Sequence, residues 1–274
     1  MEGKINIKNT LLYSIIALAA AGSVLVMLST IFGLIFRFFI KVMEIDPNVL
    51  IQQQQLIEVA SHVIALGIYF IVYKLIFRKD NKIQDEGVKV KKMGLCAMMG
   101  IGVSGISLLW IMLSHHIPML QESGSMLEQS SKNMALGNPI LVILLTAVFA
   151  PVIEEILFRG IIFRSLEKIR SGLFPVIVSA ILFGLCHMIF VQMVYAFGMG
   201  IVTALVYQKT RNLIYPMMIH MANNLLSALM DIVPISGFEG AVNILSIVMI
   251  IPTVYFLHRM MKKKEIETTV EYVK

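Results

Sequence analysis

The stretch PVIEEILFRGIIF, Pro151 to Phe163, carries three ionisable residues in a run otherwise apolar enough for lipid. An ionised side chain in hydrocarbon costs at least ~2.5–3.5 kcal/mol, so Glu154, Glu155 and Arg159 must be paired, hydrated or at work. Glu155 and Arg159 are four apart with the acid N-terminal, the favourable order for a helical ion pair. Glu154 points roughly 100° away around a helix of 3.6 residues per turn and so faces elsewhere. The plainer alternative is that it joins the pair or reaches the interface. Two further apolar runs carry FGLCHM, with Phe183 and His187 one turn apart, and HMANN, with His220 and Asn224 sharing a face. Taken singly these are also packing residues, an asparagine in a span often bonding across helices. Asn223 is the better candidate for that structural role.

Together, a carboxylate, two imidazoles and a carboxamide suit hydrolysis of an amide. Glu154 would take a proton from a water held jointly with His187. His220 and Asn224 would donate hydrogen bonds to the oxyanion as the tetrahedral intermediate develops. Glu155 and Arg159 would hold the helix in place. A zinc site is the nearest competitor, because Glu154, His187 and His220 match a two-histidine, one-carboxylate ligand set. No HExxH helix is present, however, and sequence alone leaves that alternative open. Cys186 is a poor partner for the adjacent His187, since neighbours on a helix point in different directions, and Ser227 has no evident activating group. Cys96 and Cys186 lie in different apolar runs and read as small buried hydrophobes.

The elements that must position these groups are membrane spans. The chain has 274 residues, 58% hydrophobic and 15% charged, with a mean hydropathy of +0.83, against about 25% charged for a soluble domain. Apolar runs at about Leu11–Phe36, Leu56–Phe77, Met93–Leu113, Ile140–Phe163, Phe174–Phe190, Met193–Tyr207, Tyr215–Met230 and Val242–Leu257 predict an all-α, polytopic protein of about eight transmembrane helices. With both termini cytoplasmic, all of the 23 basic residues except Arg37, Lys41 and Lys132 fall on the inner side. The net charge of +6 is thus a topology signal in a cell-membrane protein and does not point to nucleic acid. The apolar run continues well past the first small-residue stretch, ALAAAGS, which favours an uncleaved anchor.

The long connection from Ser114 to Asn138 divides the chain. Residues 1–137 read as scaffold helices, 138–231 as the working core and 232–274 as a last span with a basic tail. If the helix of Glu154 runs to a turn at Ser171-Gly172, Glu154 and His187 lie equally far from it, roughly 24 Å at 1.5 Å per residue. They would then face one another across a helical hairpin. His220, a few residues past Pro216, would join them in the inner half of the bilayer, in a polar cavity open toward the cytoplasmic side. The apolar part of the next hairpin, Leu173 to Gln208, is too short for two full crossings, roughly 54 Å of helix against about 60 Å. One limb is expected to be short, tilted or broken near Gly198 and Gly200, which would suit a water-filled cavity.

EEILFRG, FGLCH and HMANN match, in order, the EExxxR, FxxxH and HxxxN motifs, and the segment Asn138 to Asp231 resembles the CPBP intramembrane proteases, which include CAAX prenyl endopeptidases and bacterial Abi-type proteins. The resemblance implies an all-helical intramembrane endopeptidase of the glutamic type. In it the first glutamate and the FxxxH histidine activate water, and the HxxxN pair forms the oxyanion hole. Those roles fall on Glu154, His187, His220 and Asn224, with Glu155, Arg159 and Phe183 in support. It implies no cofactor, although the family has long carried a metalloprotease label. The Lys- and Ile-rich composition looks bacterial, and a small membrane-associated or leader peptide is the substrate expected. The alternatives are a non-proteolytic scaffold or bacteriocin-immunity protein that binds a membrane-protein partner through its helices, and a proton-coupled transporter, the latter disfavoured by the lack of an inverted repeat.

Overall fold

The computed structural model describes residues 7–77, 88–233 and 235–271, and these contain helices and no strand. Lys4, Arg78, Lys79, Lys82 and Lys274, which the expected topology places inside, lie outside the described residues, as do the two chain ends. The helices are α1 (Ile7–Lys41), α2 (Pro47–Gln52), α3 (Gln54–Ile76), α4 (Val90–His115), α5 (Gln121–Met134) and α6 (Pro139–Ile169), followed by α7 (Phe174–Leu185), α8 (Phe190–Thr210), α9 (Ile214–Ile232), α10 (Phe238–Val248) and α11 (Ile250–Glu271).

Among the described residues five helical segments are long and apolar enough to cross a membrane, or six if the two halves of α1, bent by 49°, count as one span. The expectation of about eight is therefore not met by length and composition, for two physical reasons. Helix α7 has 12 residues, roughly 18 Å against a hydrocarbon core of about 30 Å. Helix α9 is long enough at 19 residues but spends His220, Asn223, Asn224 and Asp231 on polar side chains. Both belong to the candidate site: α7 is apolar but short, and polar side chains lower the apolar signal of α9.

Helix α6 is the hub. All eight residues from Ile156 to Phe163 are buried, which accounts for a run apolar on every face. Around it pack α1, α3, α7 and α9, while α4 lies along α9 and α10. Close approach of α4 depends on glycine. A Cβ at Gly100 would sit 2.3 Å from Ile219 O of α9, and one at Gly105 would sit 2.1 Å from Ser246 O of α10. Small residues at such crossings let helices pack where lipid removes the hydrophobic drive between them.

Of the alternatives for the shortened hairpin, the structure takes the short limb and not a break. Helix α8 runs unbroken through Gly198 and Gly200, and the short limb is α7. The chain turns at Cys186–Ile189, where Met188 adopts a left-handed φ of 61° and Ile189 N–H bonds His187 O at 2.7 Å. Non-glycine residues in that region cost about 1–3 kcal/mol and persist where surrounding contacts fix them. Here Trp110 Nε1 donates to Val191 O at 2.9 Å, and Ser123 Oγ accepts from Val191 N at 3.0 Å.

Candidate active site

Helix α6 carries an α-helical segment, Ala150–Glu155, between two π-helical ones, Leu144–Phe149 and Ile156–Phe163. Such wide turns recur at functional sites. Glu154 and Glu155 therefore stand midway along a 31-residue helix, rather than displaced toward the end that bears Arg164 and Lys168.

Glu155 and Arg159 are fully buried. Arg159 Nη1 donates to Glu155 Oε1 at 3.2 Å, and its Nε lies in ionic contact with Oε2 at 3.1 Å. The guanidinium then reaches α8, donating to Gly200 O at 3.0 Å and to Thr203 Oγ1. Neither acceptor was evident from the motifs; the i,i+4 ion pair by itself says nothing of a third helix.

His220, 1% exposed on α9, stands between the two glutamates. Its Nδ1 bonds Glu155 Oε1 at 2.9 Å, and its Nε2 lies 3.7 Å from Glu154 Oε2. The two carboxylates do diverge around the helix, as the wheel requires, yet one imidazole reaches both through opposite nitrogens. Glu155, already held by Arg159, fixes the proton on Nδ1. Nε2 is then the nitrogen turned to Glu154, whose side chain is 26% exposed and whose Oε2 is buried with no hydrogen-bond partner.

Phe183 explains why an aromatic residue precedes His187 by one turn. Its ring meets His187 edge-on at 4.9 Å, His220 at 5.6 Å and Phe158 at 4.9 Å, and the Arg159 guanidinium lies 4.8 Å from its centroid. One apolar plate thus sets both imidazoles and the buried cation, with a cation–π attraction that grows when desolvated. His187 Nδ1 bonds Phe183 O at 2.8 Å, so Nε2 is its available nitrogen. Among the described residues no hydrogen bond or ion pair joins His187 to Glu154, the pair expected to share a water.

Asn224 Nδ2 donates to Thr146 O of α6 at 3.0 Å, and its Oδ1 accepts from Asn223 Nδ2 at 3.1 Å. Asn223 in turn accepts from Ser104 Oγ of α4 at 3.0 Å, the cross-helix role its position suggested. One amide hydrogen of Asn224 is left for another acceptor.

Residues 136–226 match the sequence model of the type II CAAX prenyl endopeptidase Rce1-like family. That stretch is similar to the Rce1-like family. The matched residues take in Glu154, Glu155, Arg159, Phe183, His187, His220 and Asn224, while Ser104 lies outside them. The chain is also 25% identical over 147 residues to "Putative membrane peptidase YdiL" of Bacillus subtilis, covering 49% of this chain and 60% of that protein. It is 33% identical over 88 residues to "Membrane-embedded CAAX protease MroQ" of Staphylococcus aureus, covering 30% of this chain and 36% of that protein. The chain thus spans less than two thirds of the length of either curated relative. No solved structure matches it.

The zinc alternative can be tested on the donor set. Among the described residues no three His, Cys, Asp or Glu side chains are gathered so as to hold a metal ion. Nδ1 of His220 is taken up by Glu155 and Nδ1 of His187 by Phe183 O, which leaves Nε2 of each ring as the nitrogen a metal would take. Among the described residues Glu154, His187 and His220 are not gathered as a ligand set, and no step below is routed through a metal.

Proposed function

We propose that this chain is a membrane-embedded endopeptidase in which Glu154 activates water and His220 and Asn224 stabilise the oxyanion. The observation that carries the reading is Glu154 Oε2, a buried carboxylate oxygen without a hydrogen bond, facing an imidazole nitrogen at 3.7 Å. A contact of that length is beyond a direct hydrogen bond, so Oε2 is left open to a water.

Charge balance supports the same assignment. With both glutamates ionised, Arg159 positive and His220 an imidazolium, the cluster is neutral. It is also neutral with Glu154 and His220 both uncharged beside the Glu155–Arg159 pair. One proton can therefore pass between Glu154 and His220 without creating net charge in the bilayer, where such charge is costly. In the ionised form Glu154 is a base, and His220 Nε2–H is a donor.

The water oxygen attacks the peptide carbonyl carbon while its proton goes to Glu154, with His187 Nε2 helping to hold the water. The carbonyl oxygen, becoming an oxyanion, accepts from His220 Nε2–H and the remaining Asn224 N–H. The C–N bond then breaks, and the proton on Glu154 passes to the departing amine. A site midway along α6 suits a small membrane-associated or leader peptide that enters the bilayer, a class in keeping with the peptidase names of the two relatives.

The test compares membrane-associated and secreted peptides from cells expressing wild-type protein or Glu154→Gln at equal inserted levels. A peptide cut only by the wild type is the expected result. Identical pools, with Glu154→Gln rescuing the phenotype of a deletion strain, would replace the enzyme by a scaffold.

A further inference from the structure

We propose that Pro151 is a positioning residue for the reaction: it frees the main-chain carbonyl of Thr146, which orients Asn224 for the oxyanion. The inference rests on the reading of Asn224 as an oxyanion donor and goes beyond it, because neither Pro151 nor Thr146 touches substrate in that scheme.

The argument starts from the backbone. In a regular α-helix Thr146 O would accept from Ala150 N–H. Here the helix widens, and Ala150 N–H bonds Leu145 O, five residues back. The next donor, in the wide register, would be residue 151, and proline has no N–H. A proline in the helix interior thus removes the only backbone hydrogen that could reach Thr146 O from that turn. The carbonyl, part-buried at the α9 contact, would be left without a helix partner, which native structures avoid. Asn224 Nδ2 takes it at 3.0 Å.

That acceptor sets the direction of a whole chain of bonds. A carbonyl oxygen only accepts, so Asn224 must turn its NH2 toward α6 and its Oδ1 away. Oδ1 then needs a donor and receives Asn223 Nδ2 at 3.1 Å. Asn223 Oδ1 in turn needs a donor and receives the Ser104 hydroxyl at 3.0 Å. Each link allows one orientation of the next, and the outcome is a carboxamide with its second N–H fixed, one turn beyond His220 on the same face. With Thr146 O satisfied by its own helix, Asn224 could flip, presenting an oxygen where an oxyanion must sit.

The experiment uses full-length protein in cells, with the peptide pool compared as above and cleavage rates taken from the accumulation of products. Wild type, Pro151→Ala, Asn224→Ala and the double variant Pro151→Ala/Asn224→Ala are measured, each with its thermal stability after purification in detergent. Alanine at 151 restores an N–H and replaces the poorest residue for a helix interior by the best. Stability should therefore be unchanged or higher in Pro151→Ala, while cleavage falls about 10- to 100-fold, the scale of a misplaced or missing oxyanion donor. The double variant should be no slower than Asn224→Ala alone. Ser104→Ala, at the far end of the chain, should lower cleavage in the same direction by a smaller factor.

Wild-type cleavage in Pro151→Ala, or full multiplicative losses in the double variant, would overturn the positioning role and leave the oxyanion reading of Asn224 intact. Full activity in Asn224→Ala would instead overturn that reading, and this inference with it, as would the absence of any peptide dependent on Glu154.

Discussion

Replacing Glu155 by glutamine removes one negative charge from a site where neither member of the ion pair is exposed. The side chain keeps its shape, and its Oε1 can still accept from His220 Nδ1. Arg159 keeps its bonds to Gly200 O and Thr203 but loses its counterion, so a neutral cluster becomes cationic within the span. Removing one partner of a buried pair costs about 3–5 kcal/mol, because the other charge is left uncompensated. That is a large part of the ~5–15 kcal/mol by which folded proteins are stable. The assay is unfolding by SDS titration of protein purified in mild detergent, for wild type, Glu155→Gln, Arg159→Met and the double variant. Both single variants should lose stability, and the double variant should recover most of it, giving a coupling larger than either single loss, more than about 3–5 kcal/mol, in the double-mutant cycle. Activity should not return in the double variant, since His220 then lacks a charged partner on Nδ1. Independent, additive losses would refute the argument that the pair is held as a neutral unit.

Two further outcomes follow from the geometry. Gly100→Ala puts a methyl group 2.3 Å from Ile219 O, the residue before His220; displacing α9 should cost about 1–3 kcal/mol of stability and lower cleavage at least tenfold, measured on the same peptide. Exhaustive dialysis against a strong chelator should leave cleavage unchanged, and stoichiometric zinc that is retained by wild type and lost in His187→Ala would replace Glu154-activated water by a metal-bound one.

The helices were legible because lipid leaves so few alternatives: a long apolar run must close its own hydrogen bonds, and α3, α4, α6 and α8 stand where hydropathy puts them. Legibility failed where the site intrudes. Helix α9 looks insufficiently apolar because it carries His220 and Asn224, and α7 is short because the chain must turn at His187. Of the alternatives for the hairpin, the chain length alone could not choose a short limb over a break at Gly198 and Gly200; in the structure Gly200 packs against Ala180, and its carbonyl receives Arg159. The Glu155–Arg159 pair could be read from a four-residue spacing because it is local. That His220 would lie between both glutamates could not, since it depends on how α9 crosses α6. Nor could the partner of Asn224, which is a main-chain atom and leaves no letter of its own; the proline that frees it was visible in the opening motif and had no assigned purpose.

The placement of the arginine and its glutamate on one helix also bears on how the protein is made. Helix α6 is synthesised before α8 and α9, so at the moment of insertion Gly200, Thr203 and His220 are not yet there. A counterion from a later helix would leave Arg159 bare in the bilayer until that helix arrived. Because Glu155 lies one turn away on the same segment, the nascent helix brings its own neutralising charge and can partition into lipid as a unit. Glu154 has no such companion until α9 enters, so the residue proposed to do the chemistry is the last to find its place.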